Sequence, residues 1–570
     1  MKSAPEFDKV IRGGTIIDGL QSPRFVADIG IKDGKITSIG TIDAERAGEV
    51  LDAKGQIVAP GFVDLHTHYD AQIFWDPYCT LSGWHGVTSL VIGNCGFGFA
   101  PCRPEYRDRA MLTMERNEAI RKETMEAGMP WDWETLPEYL DSLDRTPKGV
   151  NMISYVPLGP LMSHVMGLEG AKGRPATEAE MAEMSELLDE ALDAGYCGFS
   201  AQILGENSGQ RDYDATPMIT DTMHLEDLIS FAKVLRKKGR GFMQIFAKEH
   251  HYSEGAAEAS GRPVVHNAIG LVSDQHGFAI ANYKDDLKWL EDCNSRGVRV
   301  YAQALTVQNN YEFSLDTWNL FDSVPIWREA TLGTPEERLA KLKDPERRAA
   351  IRADFDDDSV AFSQLTCTFE TIIVADPKSE EMKRYEGMTI GEICKKEGRH
   401  PVEAMLDIAV ASDLQALFVT PPQEFDTEAM RQVANAPFVL PGVSDGGAHM
   451  KFMTLGRYPT EFLCNLVRDL ELMTLEQAHW RLSTYPAMAA GITDRGYLRE
   501  GMPADILVYD FENLKILPEE HLYDLPAGDW RLACQAEGYR YIMVNGEVTF
   551  EDGVCTGATP GKLLRHGVGV

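Results

Sequence analysis

The chain has ten cysteines among 570 residues but no CxxC pair. Scattered thiols without a regular framework argue against a disulfide scaffold and fit a reducing cytoplasm. No apolar run reaches the about 18 residues that a membrane span needs, so no span is expected. The opening Met1-Lys2-Ser3-Ala4-Pro5-Glu6-Phe7-Asp8 lacks the apolar centre of a signal peptide. Positive charge is scarce: 55 Lys and Arg face 88 Asp and Glu, a formal net charge of −33. Such a chain repels phosphate backbones, so no nucleic-acid partner is expected, and the acidity reads as a solvated surface. A GxxxxGK[ST] loop is missing, which removes support for a nucleotide-dependent mechanism, and no serine-hydrolase mechanism is expected. Gly96-Phe97-Gly98-Phe99 is glycine-rich without the dinucleotide spacing. There is no internal repeat and no low-complexity linker.

What is present is ordinary globular composition, 44% hydrophobic and 25% charged, over a length that predicts two or three structural units. Residues 8 to 59 read as short strands, with a hairpin signal at Asp33-Gly34. The far end repeats the pattern, with a strand at 504–510 and a hairpin centred on Asn545-Gly546. Two β-rich ends predict one small β-sandwich, built from residues 1–59 with 497–555. The middle, 60–496, alternates strands and helices. Its candidate strands are 58–63, 88–92, 150–155, 197–200, 242–246, 264–267, 298–304 and 438–443. Eight strands with intervening helices predict an α/β chain folded as a (β/α)8 barrel of the TIM type. Residues 306–435 are too long for a connection and read either as a lid over the barrel mouth or as a helical decoration. The polar tail, 556–570, reads as wrapping a neighbouring subunit or as mobile.

Barrel chemistry sits at the C-terminal ends of strands. Pro60-Gly61-Phe62-Val63-Asp64-Leu65 delivers His66 and His68 at i and i+2, where both imidazoles can reach one metal ion. Strand 2 leads to Cys95 in a glycine-flanked turn, a thiolate ligand or a small buried filler. Strand 6 ends in His266, a candidate ligand or a hydrogen-bonded structural residue. Strand 8 leads to Asp445 on a glycine-rich turn, a position suited to a carboxylate that touches a metal and carries a proton. Trp84 and His85, before strand 2, belong to the opposite end of the barrel.

Two strand-1 histidines and a strand-8 aspartate, with a β unit shared by both termini, resemble the amidohydrolase superfamily. More narrowly the chain resembles its N-acyl-D-amino-acid deacylase branch. The matching segments are Gly61–His68, Gly86-Val87-Thr88, Gly93-Asn94-Cys95-Gly96, Ser444-Asp445-Gly446, Tyr485-Pro486-Ala487 and Leu498–Ile506. The resemblance implies a zinc-dependent hydrolase with one or two Zn²⁺ per chain. It implies that His66, His68 and Asp445 surround the more buried metal position, that Cys95 is the thiolate ligand, and that His266 is the strand-6 ligand. The family's strand-5 histidine is absent, with Phe242–Ala247 in its place, and so is the basic residue after strand 6, where Asn267-Ala268-Ile269 stands. Arg457 would supply that charge or be an exposed structural arginine. Tyr301, at the end of strand 7, matches a tyrosine that donates to the oxyanion, or is a buried barrel tyrosine. His449 would line the substrate pocket or cap a turn.

The implied reaction is hydrolysis of a linear amide C–N bond of a small molecule, an N-acyl (D-)amino acid or related N-acyl compound. Metal-activated hydroxide attacks, and Asp445 acts as general base and then acid. Two alternatives stand beside it: the same fold acting on a cyclic amide or a C–C bond beside a ketone, and a metal-free binding protein without catalysis. A homo-oligomer is expected for a chain of this class.

Overall fold

The computed structural model describes residues 5–567 apart from 277, 278, 280, 317–319, 363, 364, 366 and 425. Its centre is a ring of parallel strands: β1 (Phe62–Asp64), β2 (Val87–Ile92), β3 (Asn151–Ser154, resuming at Val156–Pro157), β4 (Gly198–Ile203), β5 (Phe242–Ala247), β6 (Val264–Ile269), β7 (Val300–Leu305) and β8 (Val439–Gly442). Neighbours in this order pair in parallel. The ring closes where Thr67 bridges Gly446, and the His68 N–H donates to the Gly446 carbonyl at 2.7 Å. Strands such as Val87–Ile92 are buried along their whole length. This explains a continuous apolar run where an exposed sheet would alternate.

Helices cover the ring. Glu178–Ala194 starts at a reciprocal Thr177/Glu180 cap and stops at left-handed Gly195. Leu225–Lys238 buries Leu228, Phe231, Ala232 and Leu235 and stops at Gly239. Three helices bear on the site: α1 (Arg107–Glu118), α2 (His250–Ser260) and α3 (Tyr283–Ser295). Residues 306–435 carry their own apolar cluster around Phe321, Trp327, Phe369 and Leu406. They also hold a three-stranded sheet formed by Glu312–Phe313, Leu417–Val419 and Ile373–Asp376.

Both chain ends enter one nine-stranded sheet. Its joint is the antiparallel pair Ile57–Pro60 and Ile506–Tyr509. Gly61 carries the chain from this sheet into β1, where a Cβ would lie 2.1 Å from the Thr88 hydroxyl. The tail is not a free arm as far as residue 567. The Met152 N–H donates to the Lys562 carbonyl at 2.9 Å, and the Leu564 and His566 N–H groups donate to Met152 and Gly195 at 2.8 Å. The tail thus hydrogen-bonds to its own β3, and residues 568–570 lie outside the described residues. No helix among the described residues is long and apolar enough to cross a membrane.

Candidate metal centre

At the C-terminal end of the ring, four side chains converge. Ligand atoms of His66, His68 and Cys95 all lie within 4.8 Å of one another. Asp445 Oδ1 is 3.0 Å from His66 Nε2 and 3.7 Å from His68 Nε2. Cys95 Sγ is 3.4 Å from His66 Nε2. Zinc bonds to nitrogen, oxygen and sulfur of about 2.0–2.3 Å place tetrahedral ligand atoms about 3.5 Å apart. The separations of two imidazoles and a thiol therefore fit one zinc ion with a position left open, and the Asp445 carboxylate stands beside both imidazoles.

The backbone holds these groups by hydrogen bonds between loops. Asn94 Nδ2 donates to the carbonyls of Thr67 at 3.0 Å and Val91 at 2.9 Å, tying the Cys95 turn to the two histidines. Ser444 Oγ donates to the His66 carbonyl at 2.8 Å, tying the Asp445 loop to the same segment. Gly447 allows that loop to approach, because a Cβ there would sit 2.9 Å from the His68 backbone. Cys95, Val443, Asp445 and His449 all have positive φ, between 45° and 57°. Left-handed backbone at four non-glycine positions, one of them β-branched, is costly, and such strain gathers where function fixes a side chain.

The electrostatics distinguish the four donors. Burial alone would raise the Asp445 pKa, but His66, His449 and His68 around it hold it well below the usual carboxylate range. Burial pushes His68 down to about 3. Burial disfavours charge on His66 too, yet Cys95 and Asp445 raise its pKa well above the ordinary value. Burial pushes the Cys95 thiol up. Asp445 is therefore ionised and His68 neutral at neutral pH, while the His66–Cys95 pair holds a proton that a metal must displace. Lowering the pH should weaken zinc binding by about 10- to 100-fold per unit, for one or two displaced protons. Chelator competition at pH 6.5 and 7.5 checks this, and a pH-independent affinity would contradict it.

The other expected site residues lie elsewhere. His266 faces away from the cluster: its Nδ1 shares a hydrogen bond with Ser253 of α2 at 2.9 Å, and its ring meets Trp289 of α3 at 5.1 Å. Strand alternation gives the inward place on β6 to Asn267 instead. Tyr301 is the second residue of β7, which runs on to Leu305. It packs on Phe438 and Tyr485, near the start of the strand rather than its catalytic end. Arg457 is buried rather than exposed. Its guanidinium donates to Glu461, Thr454, Glu519, Gln308 and Asn310, which leaves no donor for a substrate. His449 lies beside the cluster, where Asp445 and His66 act on its charge, and its Nδ1 is 3.6 Å from Glu118. His85 bonds to Thr460 and the Cys534 carbonyl, a structural pairing.

Two features had no sequence signal. Gln244, Asn267 and Gln303, on β5, β6 and β7, form a chain of amides that reaches Cys95. Glu118, the last residue of α1, is 1% exposed, and neither carboxylate oxygen has a hydrogen-bond partner. Burial and the nearby Asp445 push its pKa well up, and a helix C-terminus disfavours its anion further. A buried carboxyl that makes no hydrogen bond is destabilising and calls for a function. Glu118→Met should raise stability by about 1–3 kcal/mol and lower turnover. Urea unfolding with steady-state kinetics tests this, and a variant that loses stability with turnover intact would contradict it.

A (β/α)8 barrel with these donors at its strand ends is a metal-dependent hydrolase in class. The chain belongs to the amidohydrolase family, whose model matches residues 49–550. Among relatives, it is 26% identical over 567 residues to the N-acyl-D-glutamate deacylase of Alcaligenes xylosoxydans xylosoxydans, covering 98% of this chain and 97% of that one. Its fold resembles an N-acyl-D-glutamate deacylase from Bordetella bronchiseptica complexed with zinc and a phosphonate inhibitor, with a TM-score of 0.65, 22% identity and coverage of 98% and 100%. It also resembles a D-aminoacylase with a binuclear metal centre, with a TM-score of 0.66, 21% identity and the same coverage.

Proposed function

We propose that the chain is a zinc-dependent deacylase that hydrolyses the amide bond of an N-acyl D-amino acid or a related N-acyl compound. The convergence of His66, His68, Cys95 and Asp445 at the strand ends carries this reading. A silent binding protein has no use for four such donors, two of them, Cys95 and Asp445, on strained backbone. Zinc held there would supply a water of lowered pKa and a Lewis acid for the scissile carbonyl. Asp445, ionised and beside both imidazoles, is placed to accept the proton of an attacking water and would return one to the leaving nitrogen. His66 and His68 hold the centre through Nε2, and Ser444 and Asn94 keep their loops in place.

The acyl group would enter the cavity that opens at Gly96, next to Cys95, lined by Phe97, Tyr106, Met114, Leu168, Met218 and Ile219. Arg109 in that wall is bound by Asp212, so the pocket favours an apolar acyl chain over a charged one. Residues 306–435 would cover the mouth, since the Glu312 N–H donates to the Phe452 carbonyl at 2.9 Å, three residues from His449. The two-ended sheet reads as sandwich-like: Ala504, ahead of the strand Ile506–Tyr509, donates its N–H to the Gly34 carbonyl and accepts from the Gly546 N–H of the far hairpin, both at 2.9 Å. Ten free cysteines suit a reducing compartment. Release of amino acid from N-acyl D- and L-amino acids of graded acyl length tests the reading. Activity on the D series supports it, and activity confined to cyclic amides would replace it.

A further inference from the structure

We infer that the chain binds a single metal ion, and that Gln244 is the positioning residue that fixes Cys95 as a terminal ligand to it. The inference rests on the metal-dependent reading above and specifies its centre.

A thiolate beside two imidazoles can hold one metal or bridge to a second. A second ion needs its own donors on the far side of Cys95. That side belongs to β5, β6 and β7, and their side chains facing the cluster are neutral amides. Gln244 and Asn267 are buried, as is Gln303. The Cys95 N–H donates to Gln244 Oε1 at 2.7 Å. Gln244 Nε2 donates to Asn267 Oδ1 at 2.6 Å. Asn267 Nδ2 donates to Gln303 Oε1 at 2.9 Å. Each amide oxygen accepts from the previous donor, so the chain of bonds has one direction and is anchored on the Cys95 backbone. Zinc sites are built from Cys, His, Asp and Glu, and none of these stands in this wall. The histidine nearest in sequence, His266, is on the outer face of β6 and bonded to Ser253. Among the described residues no other group of three ligand side chains lies close enough to share an ion.

The same bonds give Gln244 its role. Its Oε1 fixes the backbone of a residue held at φ 57°, and its Nε2 lies 4.0 Å from Sγ. Partners that orient a ligand without touching the metal are worth about 10- to 100-fold in affinity.

The test uses the full chain, stripped with chelator and titrated with Co²⁺ alone. The thiolate-to-cobalt absorption band is followed, and metal is counted by elemental analysis after desalting. The expected result is saturation at one equivalent per chain. Gln244→Ala should still bind one equivalent, about 10- to 100-fold more weakly, with a shifted band, in protein that keeps the wild-type circular dichroism spectrum. Saturation of the wild type at two equivalents would overturn the single-ion assignment. Unchanged affinity and band in folded Gln244→Ala would overturn the positioning role. If that variant does not fold, Gln303→Ala, which loosens the far end of the same chain of amides, should weaken binding to a smaller degree, and no weakening overturns the role. A wild type that takes up no cobalt and no zinc refutes the metal-dependent reading itself, and with it this inference.

Discussion

Asp445→Asn should lower turnover of an N-acyl D-amino acid by about 10²–10⁴-fold, the range set by loss of a general acid–base group. The substitution keeps shape and one oxygen ligand but removes the proton acceptor. No other carboxylate is placed to take the proton: Asp64, pushed up to about 6 by burial, is turned to the His66 N–H at 3.1 Å, and Asp70, pushed up to about 7 by burial, is only part ionised at neutral pH. Asp445 itself stays ionised, because His66, His449 and His68 outweigh the burial that would raise its pKa. The fall should appear in kcat more than in KM, since the residue acts on the reacting proton rather than on substrate binding. Kinetics on zinc-loaded protein check it. A loss below about tenfold would mean that another group, with Glu118 and His449 the nearest, takes the proton.

His66→Ala should empty the metal centre. His66 Nε2 is the atom that meets both the Cys95 sulfur, at 3.4 Å, and the Asp445 carboxylate, at 3.0 Å. Four-ligand zinc sites bind with about 10–16 kcal/mol, so one ligand is worth about 3–4 kcal/mol, or about 10²–10³-fold in affinity. After dialysis, zinc per chain should fall to a small fraction of the wild-type value. His266→Ala should leave the zinc in place, because that ring packs among α2 and α3. The reverse pattern, with His266→Ala emptying the protein and His66→Ala not, would contradict the site described here.

Much of this was legible before the structure, for a physical reason. The barrel strands are short, buried on both faces and bounded by Gly or Pro. His66, His68 and Cys95 follow their strands by two to four residues, so strand ends and ligand candidates are read together. What was missed depends on parity and reach. A shift of one residue on β6 exchanges His266 for Asn267, because successive side chains point to opposite faces. Tyr301 stands early on its strand, and only the true end of β7 at Leu305 reveals it. Arg457 looked like a free cation until its five bonds were in view. Gln244, Asn267, Gln303 and Glu118 belong to residue types common everywhere, and they acquire meaning only from their neighbours in space.

The most direct test is hydrolysis by chelator-stripped protein with and without added zinc, on matched N-acyl D- and L-amino acids. The account predicts no release from the stripped protein, recovery on adding about one equivalent of zinc, and preference for the D series. Full hydrolysis without metal, or none with any metal, would contradict it.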